Sequence, residues 1–212
     1  VQRDNGPSEG RAAPRIVLNV GSGPIGDIDL LPPFFRTPDW EEVRLDIDPG
    51  VQPDIVASIT DMSRIRSETV DAIWSSHNLE HLYDHEVGKA MQEFLRVLKP
   101  DGFIYLKVPN LQEIAEFIVA GGADRAAYES AAGPIAPLDM IYGHRGAIAA
   151  GYVHMAHRTG FTPHILQRVL TEAGVAAGVL KRQSYMELSA IAFKSASDGA
   201  DVRARIIAEL GF

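Results

Sequence analysis

The 212-residue sequence contains no cysteine. That excludes disulfides, thiolate metal sites and a cysteine nucleophile. No apolar run approaches the roughly 18 residues needed to cross a bilayer. The first residues carry no apolar signal core, so the expected home is the cytoplasm, with no membrane partner. Basic residues are in deficit, 20 Lys and Arg against 28 Asp and Glu, for a formal charge of −8. A chain so charged is not expected to bind nucleic acid. Internal repeats and low-complexity tracts are also missing. What is present is ordinary for a globular domain: 46% apolar and 23% charged residues, enough for one sizeable core.

Residues 1–14 are polar, with Gly6, Pro7, Gly10 and Pro14, and read as a disordered lead-in. Residues 15–212 read as a single domain. Short apolar runs at Arg15 to Val20, Glu42 to Asp46, Asp54 to Ala57, Val70 to Ser75 and Phe103 to Val108 read as strands. Between the fourth and fifth, Asp84 is the expected N-cap of a helix reaching Leu98. Its apolar residues Val87, Met91, Phe94, Leu95 and Leu98 recur at the helical period. Gln112 to Ala120 reads as helix. Gly121 to Gly160 is irregular, rich in Ala, Gly and His, and is expected to be a lid-like insertion. Thr162-Pro163 opens a helix that Gly174 closes. Val179 to Arg182 and Leu188 to Lys194 form an expected antiparallel pair, and Asp201 to Leu210 a last helix. The alternation predicts an α/β, Rossmann-like, doubly wound fold. Its sheet would have seven mostly parallel strands and one antiparallel edge strand, with helices on both faces.

The first strand runs into Gly21-Ser22-Gly23-Pro24-Ile25-Gly26, which satisfies G-x-G-x-x-G. Glycines there permit a tight turn and a close approach of backbone to ligand. The second strand ends at Asp46, whose carboxylate can accept both hydroxyls of a ribose or simply cap a turn. Behind the loop, Pro32-Pro33 cuts short any helix. A pyrophosphate needs the helix N-terminus that is lost there. S-adenosylmethionine has no phosphate and carries a cationic sulfonium, so the pattern leans away from NAD.

Four stretches, in order, resemble the class I S-adenosylmethionine-dependent methyltransferases. Leu18 to Gly23 looks like their first motif, and Val70 to Leu82 (VDAIWSSHNLEHL) their fourth-strand segment. Phe94 to Phe103 is similar to the helix, turn and strand that follow. Gly160-Phe161-Thr162-Pro163 with Leu166 and Leu170 to Gly174 matches their late helix. The likeness is greatest to the small bacterial enzymes of the type 11 kind. It implies S-adenosyl-L-methionine as cofactor, held by Asn19, Gly21, Ser22, Gly23, Asp46, Ile47, Ser58, Ile59 and Ser76. Two positions depart from the family. Asn19 stands where an acidic residue is usual before the loop, and Ser58 where a carboxylate often faces the adenine.

Methyl transfer to a hydroxyl gains from a general base, and histidine is suited to that near neutral pH. His77 and His157 are the candidates, His77 because family analogy places it facing the methyl group. Tyr142, His144, His154 and Arg158, with Arg145, are candidates for the acceptor. The alternative for the insertion histidines is a solvated or helix-capping role. His77, Glu80 and His81 form H-x-x-E-H, which with a later His has metal-ligand spacing. The favoured reading has no metal there, with Glu80 and His81 holding loop and helix by hydrogen bonds. Trp74 is expected in the core, and Trp40 either beside the Asp46 region or on the surface. The expected function is methylation of a small molecule, at oxygen before nitrogen, by a monomer or homodimer. A non-catalytic S-adenosylmethionine-binding partner domain and an NAD-dependent oxidoreductase are the alternatives.

Overall fold

The computed structural model describes residues 13–24, 31–130, 133–196 and 199–212. Gly26 and nearly all of the expected lead-in lie outside the described residues. A seven-stranded sheet forms the centre. Its strands are β1 (Arg15–Val20), β2 (Trp40–Asp46), β3 (Ile55–Val56), β4 (Val70–Ser76), β5 (Leu98–Pro109), β8 (Ala177–Gln183) and β9 (Glu187–Phe193). The order across the sheet is β3-β2-β1-β4-β5-β9-β8. β1 to β5 are mutually parallel, while β9 runs antiparallel to both of its neighbours. The antiparallel strand is thus the last in sequence, inserted one place in from the edge, with β8 outside it.

Side chains alternating along the central strands feed two cores. Leu18, Val20, Ile73, Ile104, Leu106, Ala190 and Ala192 face the helices α1 (Asp84–Val97) and α5 (Pro163–Ala173). Val17, Ala72, Trp74, Phe103, Tyr105, Ile191 and Phe193 face the other way, under α6 (Ala200–Glu209) and the 3-10 turn Pro33–Phe35. Trp40 joins this second core, 8% exposed, with the Arg15 guanidinium 4.1 Å from its ring centre. It stands at the start of β2, at the opposite end of that strand from Asp46. It therefore neither flanks the site nor sits on the surface.

Helix ends follow their local chemistry, with one exception. The Thr162 hydroxyl accepts from the Ile165 N–H at the start of α5, and Gly174 closes it in the left-handed conformation. α1 begins one residue earlier than expected, since Asp84 is its first residue and Tyr83 its cap. The Glu86 carboxylate reaches back to the Tyr83 N–H at 3.0 Å, satisfying a free donor that a capping Asp would have left.

The insertion is not irregular. After α2 (Leu111–Phe117) and a five-residue turn to Gly122 come a hairpin of β6 (Tyr128–Ser130) and β7 (Gly133–Ile135), then α3 (Pro137–Tyr142) and α4 (Arg145–Ala149). Elements this short fall below the window in which a hydrophobic period can be read. Their packing is tight at Gly143, where a β-carbon would lie 2.0 Å from the Met155 carbonyl oxygen. The segment closes back on the sheet at Arg158 and Thr159, whose N–H groups both donate to the Glu80 carbonyl. Among the described residues no helix is long and apolar enough to cross a membrane.

Candidate active site

In an open α/β sheet the ligand crevice lies at the carboxyl ends of the strands where the order reverses. Here that point falls between β1 and β4. A cavity of about 420 Å³ opens there, lined by Gly21, Gly23, Pro24, Leu45 to Asp48, Val51, Ala57 to Ile59, His77, Asn78, His81 and Leu82. The insertion adds Ala147, Tyr152, His154, Met155 and Arg158. Gly21 has φ +65, and a β-carbon on it would lie 2.7 Å from Asn78 Cγ. The glycine is therefore required twice, by backbone conformation and by the close approach of Asn78.

Asp46 caps the turn and also lines the cavity. One carboxylate oxygen accepts from Gly23 N at 3.0 Å and the other from Asp48 N at 2.9 Å. Each oxygen keeps a second lone pair, so the group ties the glycine loop to β2 while facing the cavity. Gly21, Gly23, Asp46, Ile47, Ser58 and Ile59 are thus brought together. Asn19, Ser22 and Ser76 are not among the cavity-lining residues. Asn19 is 4% exposed and donates to Glu42 at 2.7 Å. The Asn19 amide is thus turned to the neighbouring strand. Asp48, Asn78 and Tyr152 line the cavity but were not among the expected site residues, although Asn78 lies within the Val70 to Leu82 stretch.

A second cavity of about 130 Å³ adjoins the first, and His77, His81 and Met155 line both. Its remaining wall is Pro109, Tyr128, Ile135, Asp139, Met140, His144, His157, Tyr185, Met186 and Glu187. The turn before β9 brings Tyr185 and Met186 there in left-handed conformations, φ 63 and 58. The Tyr185 ring lies 5.0 Å from that of Tyr128. Glu187 was invisible to sequence reasoning. The antiparallel register pairs it with Pro109, at the carboxyl end of β5, and only that pairing carries it into the site.

Its consequence is electrostatic. His77 donates from Nε2 to Glu187 at 2.8 Å, and its Nδ1 lies 3.3 Å from a Glu80 oxygen. Burial opposes charge on the ring, but the ring keeps 40% of its surface open. The two carboxylates prevail and raise the His77 pKa to about 10. Lys107 pairs with the other Glu187 oxygen at 3.2 Å. Both carboxylates are held below their ordinary range despite their burial, chiefly by His77. His77 is thus an imidazolium with both nitrogens engaged, which leaves it no lone pair to act as a base.

His157 has the opposite character. Burial lowers its pKa, with Glu80 nearby opposing. Its Nδ1 lies 2.9 Å from the Met140 carbonyl. A neutral ring bonded this way carries its proton on Nδ1 and its lone pair on Nε2. His81 packs edge-on against it at 4.9 Å. Glu80, His81 and His157 each present a ligand atom within 4.8 Å of the others. Of the other acceptor candidates, His154 and Arg158 line the larger cavity and His144 the smaller. The His144 ring also accepts from Ala147 N and caps α4. Tyr142 lines neither cavity and is 61% exposed. Arg145 is turned to Asp139 at 2.7 Å.

Residues 18–106 match the family model described as a methyltransferase domain. No curated protein sequence matches the chain. Among solved structures, the citrinin polyketide synthase CMeT domain is similar at TM-score 0.55 and 16% identity, over 86% of this chain and 47% of that one. An S-adenosylmethionine-dependent methyltransferase from Methanosarcina mazei gives 0.54 and 14%, over 85% and 92%. The 1,6-didemethyltoxoflavin-N1-methyltransferase of Burkholderia thailandensis, solved with S-adenosylhomocysteine, gives 0.50 and 13%, over 84% and 70%. The chain spans about half the length of the first of these. The family-model match covers 89 of the 212 residues, and the solved methyltransferases share the fold of this chain.

Proposed function

We propose that this chain methylates an oxygen of a small molecule held in the smaller cavity, with His157 as general base. The observation that carries the reading is the meeting of the two cavities at His77 and His81. A cofactor in one and an acceptor in the other would react across that wall.

The larger cavity suits S-adenosylmethionine. Its volume lies in the range of small-ligand sites, Asp46 offers free lone pairs to a ribose, and the Asn78 amide nitrogen is buried without a partner. When bound, the sulfonium supplies an electrophilic methyl group and departs as a neutral thioether. The acceptor hydroxyl forms the new C–O bond and gives its proton to Nε2 of His157. His77 stays protonated and, through Glu187 and Glu80, fixes the wall between the cavities. An amine acceptor arrives with its own lone pair. The oxygen preference therefore rests on a neutral, oriented His157.

Glu80, His81 and His157 are read as a buried carboxylate and two imidazoles that hold the loop in place, and not as metal ligands. The acidic net charge argues against a nucleic-acid acceptor, and a cytoplasmic monomer or homodimer completes the reading. The test is titration with S-adenosylhomocysteine, then turnover on a panel of hydroxylated small molecules with and without EDTA. Binding with EDTA-insensitive O-methylation is expected. Absence of binding would sink the whole reading. Binding without turnover would favour the partner-domain alternative, and loss of turnover in EDTA would make His157 a ligand.

A further inference from the structure

Charge is unevenly distributed around the larger cavity. Asp46 and Asp48 stand at its β2 end. Among the described residues, the one lysine or arginine lining it is Arg158, contributed by the end of the insertion. Arg158 has no carboxylate within ion-pairing distance among the described residues. Its guanidinium lies 4.9 Å from the centre of the Tyr83 ring. Its backbone N–H donates to the Glu80 carbonyl at 2.8 Å, which fixes where the side chain starts. The planar fork is thus held on an aromatic face, with its donors free of any carboxylate. That arrangement suits bidentate recognition of an incoming carboxylate. A second donor is present on the same wall, since Asn78 Nδ2 is buried, packed on Gly21, and without a hydrogen-bond partner.

We propose that Arg158, assisted by the Asn78 amide, is the carboxylate-recognition site of the cofactor cavity, binding the α-carboxylate of the cofactor's methionine moiety. The inference rests on the cofactor reading above and adds what the insertion does to the cofactor. The ribose end is held by Asp46, and the carboxylate end by a residue that also ends the lid. The same chemistry would serve a carboxylate on the acceptor, and the experiment separates the two sources.

Dissociation constants are measured by calorimetry for S-adenosylhomocysteine and for S-adenosyl-3-thiopropylamine, which keeps the amine and lacks the carboxylate. The proteins are the wild type, Arg158→Ala and Arg158→Lys. Arg158→Ala is expected to weaken S-adenosylhomocysteine at least tenfold and to leave the decarboxylated analogue within about twofold. Arg158→Lys should fall between, since lysine keeps the charge but not the fork. Equal losses for both ligands would mean that Arg158 only supports the local fold, and the proposal fails. An unchanged affinity for S-adenosylhomocysteine also overturns it, and a raised acceptor KM beside that result would assign the carboxylate to the acceptor. If the wild type binds neither ligand, the cofactor reading itself fails, and that result is recognisable from the wild-type titration alone.

Discussion

The glycine loop presents backbone to the larger cavity, whereas the insertion presents side chains to both cavities. Gly21, Gly23 and Asp46 form their cradle through φ angles and main-chain hydrogen bonds. Arg158, His154, His144 and His157 reach the cavities from the short elements of the insertion and the loops between them. A backbone cradle needs particular residues at particular spacings, so it leaves a motif. A side-chain wall needs only a suitable group at the right place in space, and many chain paths can deliver one.

The comparison is most sharply tested where the two halves divide the labour. His157→Gln should lower kcat by about a hundredfold while leaving the S-adenosylhomocysteine affinity within about twofold. Loss of cofactor affinity in that variant would erase the division. Asp46→Ala should do the converse, weakening the cofactor at least tenfold with a smaller change in kcat at saturation. Stopped kinetics at saturating cofactor would separate the two effects. An Asp46→Ala protein with unchanged affinity would leave Asp46 as a turn cap alone.

His77 stands between the halves and predicts a pH effect. Its folded pKa of about 10 lies above the ordinary 6.5. The stabilisation is therefore full below pH 6.5 and is lost as pH rises toward 10. Wild type should melt about 3–5 °C above His77→Gln at pH 6.5, an effect limited by the exposure of the ring. That gap should close by pH 10, where both proteins leave Glu80 and Glu187 without a cation at this position. A gap that widens with pH would show that the imidazolium does not carry the stabilisation.

Much of the fold was legible because its signals are local. The strand runs of β1, β4 and β5, the Thr162-Pro163 start and the Gly174 stop each depend on a few adjacent residues. The wall of the larger cavity was legible at Gly21, Gly23, Asp46, Ser58 and Ile59 for the same reason. Asn19, Ser22 and Ser76 do not line the cavity, since a residue beside a loop can point along the sheet, as Asn19 does to Glu42. Glu187 was illegible in principle. Its role follows from a strand that crosses back between β5 and β8, and nothing within its own neighbourhood encodes that crossing. With Glu187 unseen, His77 looked like a free base, when its two carboxylates make it a fixed cation. Tyr83 was missed as a cap because the capping group is the Glu86 carboxylate three residues on.

The smallest effect concerns how the insertion is held together. The Arg145 guanidinium beside Asp139 brings the carboxyl to about 2, and N–H donors from Ala136 and Arg145 add to this. A carboxylate depressed in this way stabilises the fold above its ordinary value of 3.8 and ceases to do so as pH falls toward 2. Arg145 is half exposed, so the pair is screened and its contribution is small. Asp139→Asn should lower the melting temperature by about 1–2 °C at pH 7, with the difference lost as pH falls through about 2. Hydrogen exchange should quicken in α3 and α4 and stay unchanged in β1 and β2. If exchange quickened equally at the glycine loop, the two halves would be one cooperative unit, and their separate construction would have no energetic counterpart.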